Sequence, residues 1–191
     1  MNKRIKNLLA LAVLPALFFS CSSDNDNSEV RNPADETYVL SYQTTDWEMN
    51  FIGPASITDI KLAGDLGLTQ QIAWKGTLTY ADVANQMQQA DALVHFSKYE
   101  NLPCVVNEAL CCGLPVLSSN VGGIAELVNS TNGLLVEEGN VSALANALYN
   151  YLQHASSFDR KAIGENAVAK FNYKAIGNEI ADLYKTIVSR Y

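Results

Sequence analysis

The stretch between residues 92 and 136, ALVHFSKYENLPCVVNEALCCGLPVLSSNVGGIAELVNSTNGLLV, alternates short apolar runs with segments of helical spacing. Its first run, Ala92–Phe96, is of the apolar kind that predicts a strand buried on both faces of a parallel sheet. A helix is predicted over Pro103–Cys112, where Gly113 ends it. Two further strands and a short helix are predicted here: Pro115–Leu117, Gly133–Val136 and Ile124–Val128.

The same alternation continues on both sides of this stretch. Two strands and two helices are predicted before it: Trp47–Ile52, Ile72–Trp74, Ile57–Leu66, and a helix that Thr79 caps and that runs to Gln88. Three helices are predicted after it: Val141–Gln153 and the approximate ranges 156–170 and 173–190. Strands and helices that alternate across short turns predict βαβ units. The predicted fold class is therefore α/β, a Rossmann-like parallel sheet with helices on both faces.

Composition narrows the classes of protein that this chain can belong to. With 191 residues the chain has room for one ordinary domain and a short additional segment. Apolar residues make up 48% and charged residues 17%, which indicates a core-forming globular chain. The net charge of -7 argues against binding nucleic acid through its phosphates. Four cysteines without a Cys-x-x-Cys pair do not indicate a zinc site or a disulfide framework.

The loop after the buried strand carries the candidate chemistry. In open parallel sheets ligands bind beyond the carboxyl ends of the strands, and Ser97–Pro103 lies at such an end. A helix that begins at Pro103 presents free N–H groups and a partial positive charge, which favour a phosphate. Glu100 and Glu108 flank this helix start with seven residues between them, so one carboxylate can hold a sugar and the other a ribose. Taken alone, Glu100 fits a solvated loop charge equally well, and Glu108 fits an ordinary acid on the helix surface better.

The spacing of these residues resembles a known family. Tyr99–Glu126, with its two glutamates, the helix-starting proline, Gly113–Pro115 and Gly122–Gly123 in this order, is similar to the donor-site signature of retaining group-one glycosyltransferases of the GT-B fold. Flanking segments resemble that family too: Trp47–Gly53, Leu66–Leu68, Trp74–Gly76 and Asn132–Val136. The resemblance covers about residues 46–190.

The resemblance implies a role for each matching residue. Glu100 is expected to hydrogen-bond the transferred sugar and is the candidate catalytic residue, while Glu108 is expected to hold the ribose. The backbone N–H groups of Asn101 and Leu102 would contact the sugar and the diphosphate. A third segment would lie along the base, mainly through backbone groups: Lys75, Gly76 and Thr77. The implied function is retaining transfer from a nucleotide sugar in glycan or polysaccharide synthesis, with no metal and no cofactor.

Other residues of chemical interest carry no comparable pattern. His95 and His154 have no partner at ligand spacing and are interpreted as structural. The three body cysteines are interpreted as small buried apolar residues: Cys104, Cys111 and Cys112. No Gly-x-Gly-x-x-Gly follows a strand and no Gly-x-Ser-x-Gly occurs, which argues against a dehydrogenase and a serine hydrolase.

The first residues predict a secretory signal, with residues 1–20 as the signal peptide. Three positive charges precede the twelve-residue apolar run Leu8–Phe19, which is shorter than the roughly 20 residues of a membrane-spanning helix. Ser20 and Cys21 then resemble the cleavage and lipid-attachment site of bacterial lipoproteins. Residues 21–45 are polar and predict a tether. The alternative is an apolar first helix of a soluble domain, with Cys21 as an ordinary buried thiol.

The two ends of the chain imply different locations. A genuine signal makes this a cell-envelope lipoprotein with a membrane anchor through Cys21, and otherwise the chain is cytoplasmic. Residues 46–191 correspond to a truncated donor-binding domain, without the acceptor domain of the family and without the opening strand, helix and diphosphate-binding basic pair. The sheet is therefore expected to lack a strand and to expose an edge.

Whether the chain is an enzyme on its own is left open, and three hypotheses follow. The first is a glycosyltransferase donor-domain fragment that requires an acceptor domain or a partner chain. The second is a non-catalytic, lipid-anchored envelope binding protein. The third is a chimeric reading frame with no activity of its own.

Overall fold

The computed structural model describes residues 7–11, 47–154 and 157–190. Within these ranges six strands form one sheet: β1 Asn7–Leu11, β2 Glu48–Ile52, β3 Ile72–Gly76, β4 Ala92–His95, β5 Val116–Ser119 and β6 Gly133–Val136. The strand order is β3-β2-β1-β4-β5-β6, and every neighbouring pair is parallel. Seven helices accompany the sheet: α1 Ile57–Asp65, α2 Tyr80–Gln89, α3 Cys104–Cys111, α4 Ile124–Leu127, α5 Val141–His154, α6 Arg160–Phe171 and α7 Tyr173–Val188. The predicted α/β class is confirmed.

The predicted elements of the body differ from the structure mainly at their ends. β3 extends to Gly76 and β5 extends to Ser119, because hydrogen bonding to the neighbouring strand continues past the apolar residues. α6 begins at Arg160, since the side chain of Asp159 accepts the N–H of Ala162 and caps the helix there. The predicted cap at Thr79 is confirmed by its bond from the N–H of Asp82.

The N-terminal strand is the main difference from the sequence analysis. β1 pairs with β2 on one side and with β4 on the other, so it occupies the middle of the sheet. The expected missing strand and exposed edge are therefore wrong for the described residues, and residues 7–11 do not form the alternative helix. The signal peptide stays a prediction, and Cys21 and the tether lie outside the described residues.

Two cores lie on the two faces of the sheet. Along β4, Ala92 and Val94 face α1 and α5, while Leu93 faces α2, α3 and α6. All three side chains are almost completely buried, and burying a leucine or valine contributes about 1.5–3 kcal/mol. This alternation explains why the strand reads as a continuous apolar run.

The last helix is less buried than the others. α7 packs against α6, yet its apolar side chains at helical spacing remain exposed: Ile176, Ile180, Leu183, Tyr184 and Ile187. In the described part of the chain, no helix is long and apolar enough to cross a membrane.

Candidate functional site

The loops that follow β4 and β5 meet at the carboxyl edge of the sheet. The N–H of Ser97 donates to Oγ of Ser119 at 2.9 Å, and the hydroxyl of Ser119 donates to the carbonyl of Ser97 at 2.6 Å. Both serines are buried. Beyond them, the N–H of Gly123 donates to the carbonyl of Asn101 at 2.6 Å. Hydrogen bonds therefore join the two loops at the buried serines and again between Asn101 and Gly123.

Glycine is required where these loops touch. Gly122 has φ of +53°, and a Cβ at this position would collide with the carbonyl oxygen of Glu100. A Cβ on Gly123 would lie 2.7 Å from the carbonyl oxygen of Asn101, although the φ of Gly123 is negative. The positive φ explains the glycine at position 122, and close approach explains the one at position 123. The backbone that carries Glu100 is therefore tightly packed.

The side chain of Glu100 has a buried partner that the sequence analysis missed. Nε2 of His95 lies 3.1 Å from Oε1 of Glu100. The side chain of His95 is 3% exposed and that of Glu100 is 25% exposed. Burial lowers the pKa of His95, and the neighbouring Glu100 carboxylate only partly opposes this effect. His95 was interpreted as structural and without a partner, and the structure shows that its ring contacts a predicted site residue.

Glu108 lies in the second turn of α3 and also has a partner that was not predicted. The hydroxyl of Tyr80 donates to Oε1 of Glu108 at 2.6 Å. This bond is the main reason that the pKa of Tyr80 is raised, with the charge of Glu108 as the second. Tyr80 is the first residue of α2, where the Thr79 cap places it. Each predicted glutamate thus has one oxygen in contact with an aromatic side chain.

The segment predicted to lie along a base follows β3. The N–H of Gly53 donates to the carbonyl of Gly76 at 2.9 Å, which ties together the ends of β2 and β3. Gly76 has φ of +64°, and the flanking Lys75 and Thr77 are exposed. Because Tyr80 follows closely, its bond to Glu108 connects this segment with α3.

The start of α3 presents backbone donors at the same edge. The helix begins at Cys104, one residue later than predicted, and no side-chain hydrogen bond caps it at Pro103. Its first N–H groups lack partners within the helix, as at every helix start, and the helix dipole favours an anion there. Asn101 and Leu102, predicted to contact a diphosphate, are exposed immediately before this helix.

The cysteines are less buried than predicted. Cys104 is exposed, whereas Cys111 and Cys112 are half-buried. Burial raises the pKa of both Cys111 and Cys112, so their thiols are protonated and weakly nucleophilic at neutral pH. His154 is the last residue of α5 and lies far in sequence from the loop that carries Glu100 and from the helix that carries Glu108.

Comparison with known proteins identifies the family and the fold. The sequence profile of the family described as glycosyl transferases group 1 matches residues 38–170, well over half of the chain. The match begins inside the segment predicted to be a tether. Among curated proteins, the chain is 27% identical over 140 residues to the alpha-D-kanosaminyltransferase of Streptomyces kanamyceticus. It is 33% identical over 92 residues to an uncharacterized glycosyltransferase of Methanocaldococcus jannaschii.

These alignments cover only part of each relative. They include 71% of this chain and 36% of the kanosaminyltransferase, and 48% of this chain and 26% of the archaeal protein. The chain therefore spans about a third or less of the length of these relatives.

Solved structures show the same partial match. Sucrose-phosphate synthase from Thermosynechococcus elongatus superposes with a TM-score of 0.72 at 23% identity, covering 98% of this chain and 46% of that one. Anabaena Alr3699/HepE in complex with UDP gives a TM-score of 0.73 at 20% identity, covering 96% of this chain and 49% of that one. The same Anabaena protein has also been solved with UDP-glucose. The chain belongs to the group 1 glycosyl transferases, and its sheet and helices have the Rossmann-like architecture of one half of a GT-B enzyme.

Proposed function

We propose that this chain binds a nucleotide sugar at the carboxyl edge of its sheet, as the donor-binding half of a retaining glycosyltransferase. One observation carries the proposal. A single continuous segment, from Ser97 to Glu108, brings three groups to this edge. They are the Glu100 carboxylate, which contacts His95, the start of α3, which no side chain caps, and the Glu108 carboxylate, which accepts a hydrogen bond from Tyr80. These three kinds of group, in this order, can bind a sugar, a diphosphate and a ribose.

Each group then has a defined task. Glu100 accepts a hydrogen bond from a hydroxyl of the transferred sugar, and Glu108 accepts hydrogen bonds from the ribose. The N–H groups of Asn101, Leu102 and the first turn of α3 contact the diphosphate, whose charge the helix dipole favours. Lys75, Gly76 and Thr77 lie along the base. Structural neighbours solved with UDP and UDP-glucose support this class of ligand.

Transfer itself needs more than these groups. We expect no metal, because the family resemblance implies metal-independent transfer with retention. The charge that develops on the leaving diphosphate must be stabilised, and this is usually the largest catalytic contribution. The acceptor site, and with it the reaction in glycan or polysaccharide synthesis, would come from a second domain or a partner chain.

Titration calorimetry of the full chain with UDP and with UDP-glucose tests the proposal. Glu108→Ala should weaken the binding of both ligands by roughly ten-fold or more, because hydrogen bonds to a charged group are lost. Glu100→Ala should weaken only the binding of UDP-glucose. Glu179→Ala, an exposed glutamate on α7, is the matched control and should change neither affinity. Unchanged affinities in Glu108→Ala would show that the site is wrongly assigned.

The N-terminal pattern favours a second candidate, a lipid-anchored envelope protein that begins at Cys21 after cleavage, lacks β1 and serves only for binding. Its basis is the positively charged start, the apolar run and Cys21. The anchor would be acyl chains on Cys21, since the net charge of -7, which becomes -10 when the three positive charges of residues 1–20 are removed, disfavours contact with anionic lipid. Fractionation of cells that express the wild type or Cys21→Ser tests this candidate. A Cys21→Ser chain that stays in the membrane fraction would count against it.

A further inference from the structure

A buried histidine contacts the glutamate that the proposed function assigns to the transferred sugar. His95 is the last residue of β4, and its register partner on β5 is Ser118. The residue as a whole is 2% exposed, so the ring is enclosed by protein. Its Nε2 lies within hydrogen-bond distance, 3.1 Å, of Oε1 of Glu100, five residues further along the chain.

The direction of this hydrogen bond follows from chemistry. An ionised carboxylate can only accept, so Nε2 must carry the proton. Because burial lowers the pKa of His95, the neutral ring is favoured and Nδ1 then carries none. Nδ1 is buried and has no hydrogen-bond partner among the residues that the structure describes. The bond to Glu100 is thus the polar contact that the described structure gives this ring.

An unpaired buried nitrogen destabilises a fold, and a leucine at the same place would remove this nitrogen together with the bond to Glu100. Burial of the unpaired Nδ1 therefore does not explain why a histidine ends this apolar strand. The contact with Glu100 supplies a different reason. The Glu100 side chain is 25% exposed, so His95 holds it from the protein side while part of the carboxylate stays open to solvent.

The backbone of Glu100 is held independently. Gly122 packs directly on the carbonyl oxygen of Glu100, and the N–H of Gly123 binds the carbonyl of the next residue, Asn101. With the backbone fixed in this way, the orientation of the side chain is the remaining freedom, and the bond from His95 restricts it.

We infer that His95 is a positioning residue whose Nε2–H orients the Glu100 carboxylate to receive a hydroxyl of the transferred sugar. This inference rests on the proposed function, because it takes Glu100 as the sugar contact. A carboxylate that is oriented before the ligand arrives loses less conformational freedom on binding. The effect should be confined to the sugar, since Glu108 and Tyr80 lie on α3 and α2 and serve the nucleotide.

Two substitutions in the full chain separate positioning from packing. His95→Leu fills the strand position with an apolar side chain and removes the donor, while His95→Gln keeps an amide N–H. The affinity for UDP-glucose should fall roughly ten-fold in His95→Leu, the affinity for UDP should stay unchanged, and His95→Gln should recover most of the loss. A core residue without a positioning role would instead change the binding of both ligands alike, and such a result would overturn the inference.

A double-mutant cycle tests whether Glu100 transmits the effect. In a Glu100→Ala background, His95→Leu should cause no further loss of UDP-glucose affinity. The same ten-fold loss in that background would overturn the inference. A wild-type chain that binds neither UDP nor UDP-glucose would refute the proposed function, and the positioning role would fall with it.

Nuclear magnetic resonance of ¹⁵N-labelled histidine provides a test that does not depend on nucleotide binding. The chain has two histidines, so His154→Gln assigns the signals. His95 should appear as the Nε2-protonated neutral tautomer, and its Nε2 signal should shift in Glu100→Ala. An Nδ1-protonated ring, or a signal that Glu100→Ala leaves unchanged, would show that the hydrogen bond does not exist.

Discussion

The hydroxyl of Tyr80 donates a 2.6 Å hydrogen bond to Oε1 of Glu108, and this bond joins the first turn of α2 to the second turn of α3. Tyr80 is 76% exposed, so its ring is held at the surface mainly by this contact. The bond occupies one carboxylate oxygen and leaves the other for a ligand. It therefore fixes the orientation of the glutamate that we propose for the ribose.

Tyr80→Phe should weaken the binding of UDP and UDP-glucose by about three-fold, because Glu108 loses the donor that orients it. The effect should be smaller than that of Glu108→Ala, since the carboxylate remains. Titration calorimetry provides the measurement, and Tyr184→Phe on the exposed face of α7 is the control. Tighter binding in Tyr80→Phe would instead show that the tyrosine competes with the ribose.

Gly122→Ala should destabilise the fold and disturb the Glu100 loop together. The new Cβ would collide with the carbonyl oxygen of Glu100, and the positive φ adds strain. We expect a loss of at least about 2 kcal/mol in the free energy of unfolding. Gly139→Ala is the matched control: Gly139 has φ of +69° with open space around it, so only backbone strain of about 1 kcal/mol applies. Equal losses in urea denaturation would contradict the predicted collision.

Ser119→Ala should destabilise the junction of β4 and β5. The hydroxyl of Ser119 both accepts the N–H of Ser97 and donates to its carbonyl, so its removal leaves two buried backbone groups unpaired. We expect a loss of about 2–4 kcal/mol in the free energy of unfolding. Ser118→Ala, at the buried residue before it, removes one hydrogen bond to the carbonyl of Ser119. The free energy of unfolding should fall by about 1 kcal/mol. If urea denaturation ranks the two variants in the opposite order, this account of the junction is wrong.

Leu183→Lys should reduce self-association without unfolding the chain. Leu183 is 60% exposed within the apolar face of α7, and exposed apolar surface promotes association. The free energy of unfolding should change by less than about 0.5 kcal/mol, as for other surface substitutions. Leu144→Lys, at a side chain that is 3% exposed on α5, is the contrasting control and should unfold the chain. Light scattering measures the self-association. If the masses of Leu183→Lys and the wild type do not differ, the apolar face of α7 does not cause self-association.

The body of the fold was predictable because its signals are local. The apolar run in β4, the Thr79 cap and the glycine after α3 each act within a few residues of their own position, and the elements that they predict are present. The two partner contacts were not predictable in this way. Tyr80 and Glu108 are 28 residues apart, and no periodic pattern relates them.

His95 shows a different limit of sequence reasoning. Its partner, Glu100, is near in sequence, but the contact depends on how the chain turns after β4 and on the packing of Gly122 beneath it. A histidine in an apolar strand carries no local sign of such a contact. β1 shows a third limit, because an apolar run suits the hydrophobic region of a signal peptide and a buried central strand equally well.

If residues 1–20 act as the predicted signal peptide, the position of β1 makes export and folding alternative outcomes for the chain. Cleavage before Cys21 would remove Asn7–Leu11, and β2 and β4 pair with that strand rather than with each other. The remaining sheet would divide into a β3-β2 pair and a β4-β5-β6 trio. Conversely, in a chain that folds first, Asn7–Leu11 is already paired with β2 and β4 and is not available to the export machinery. Under that hypothesis, the order of the two events would decide which molecule the cell obtains.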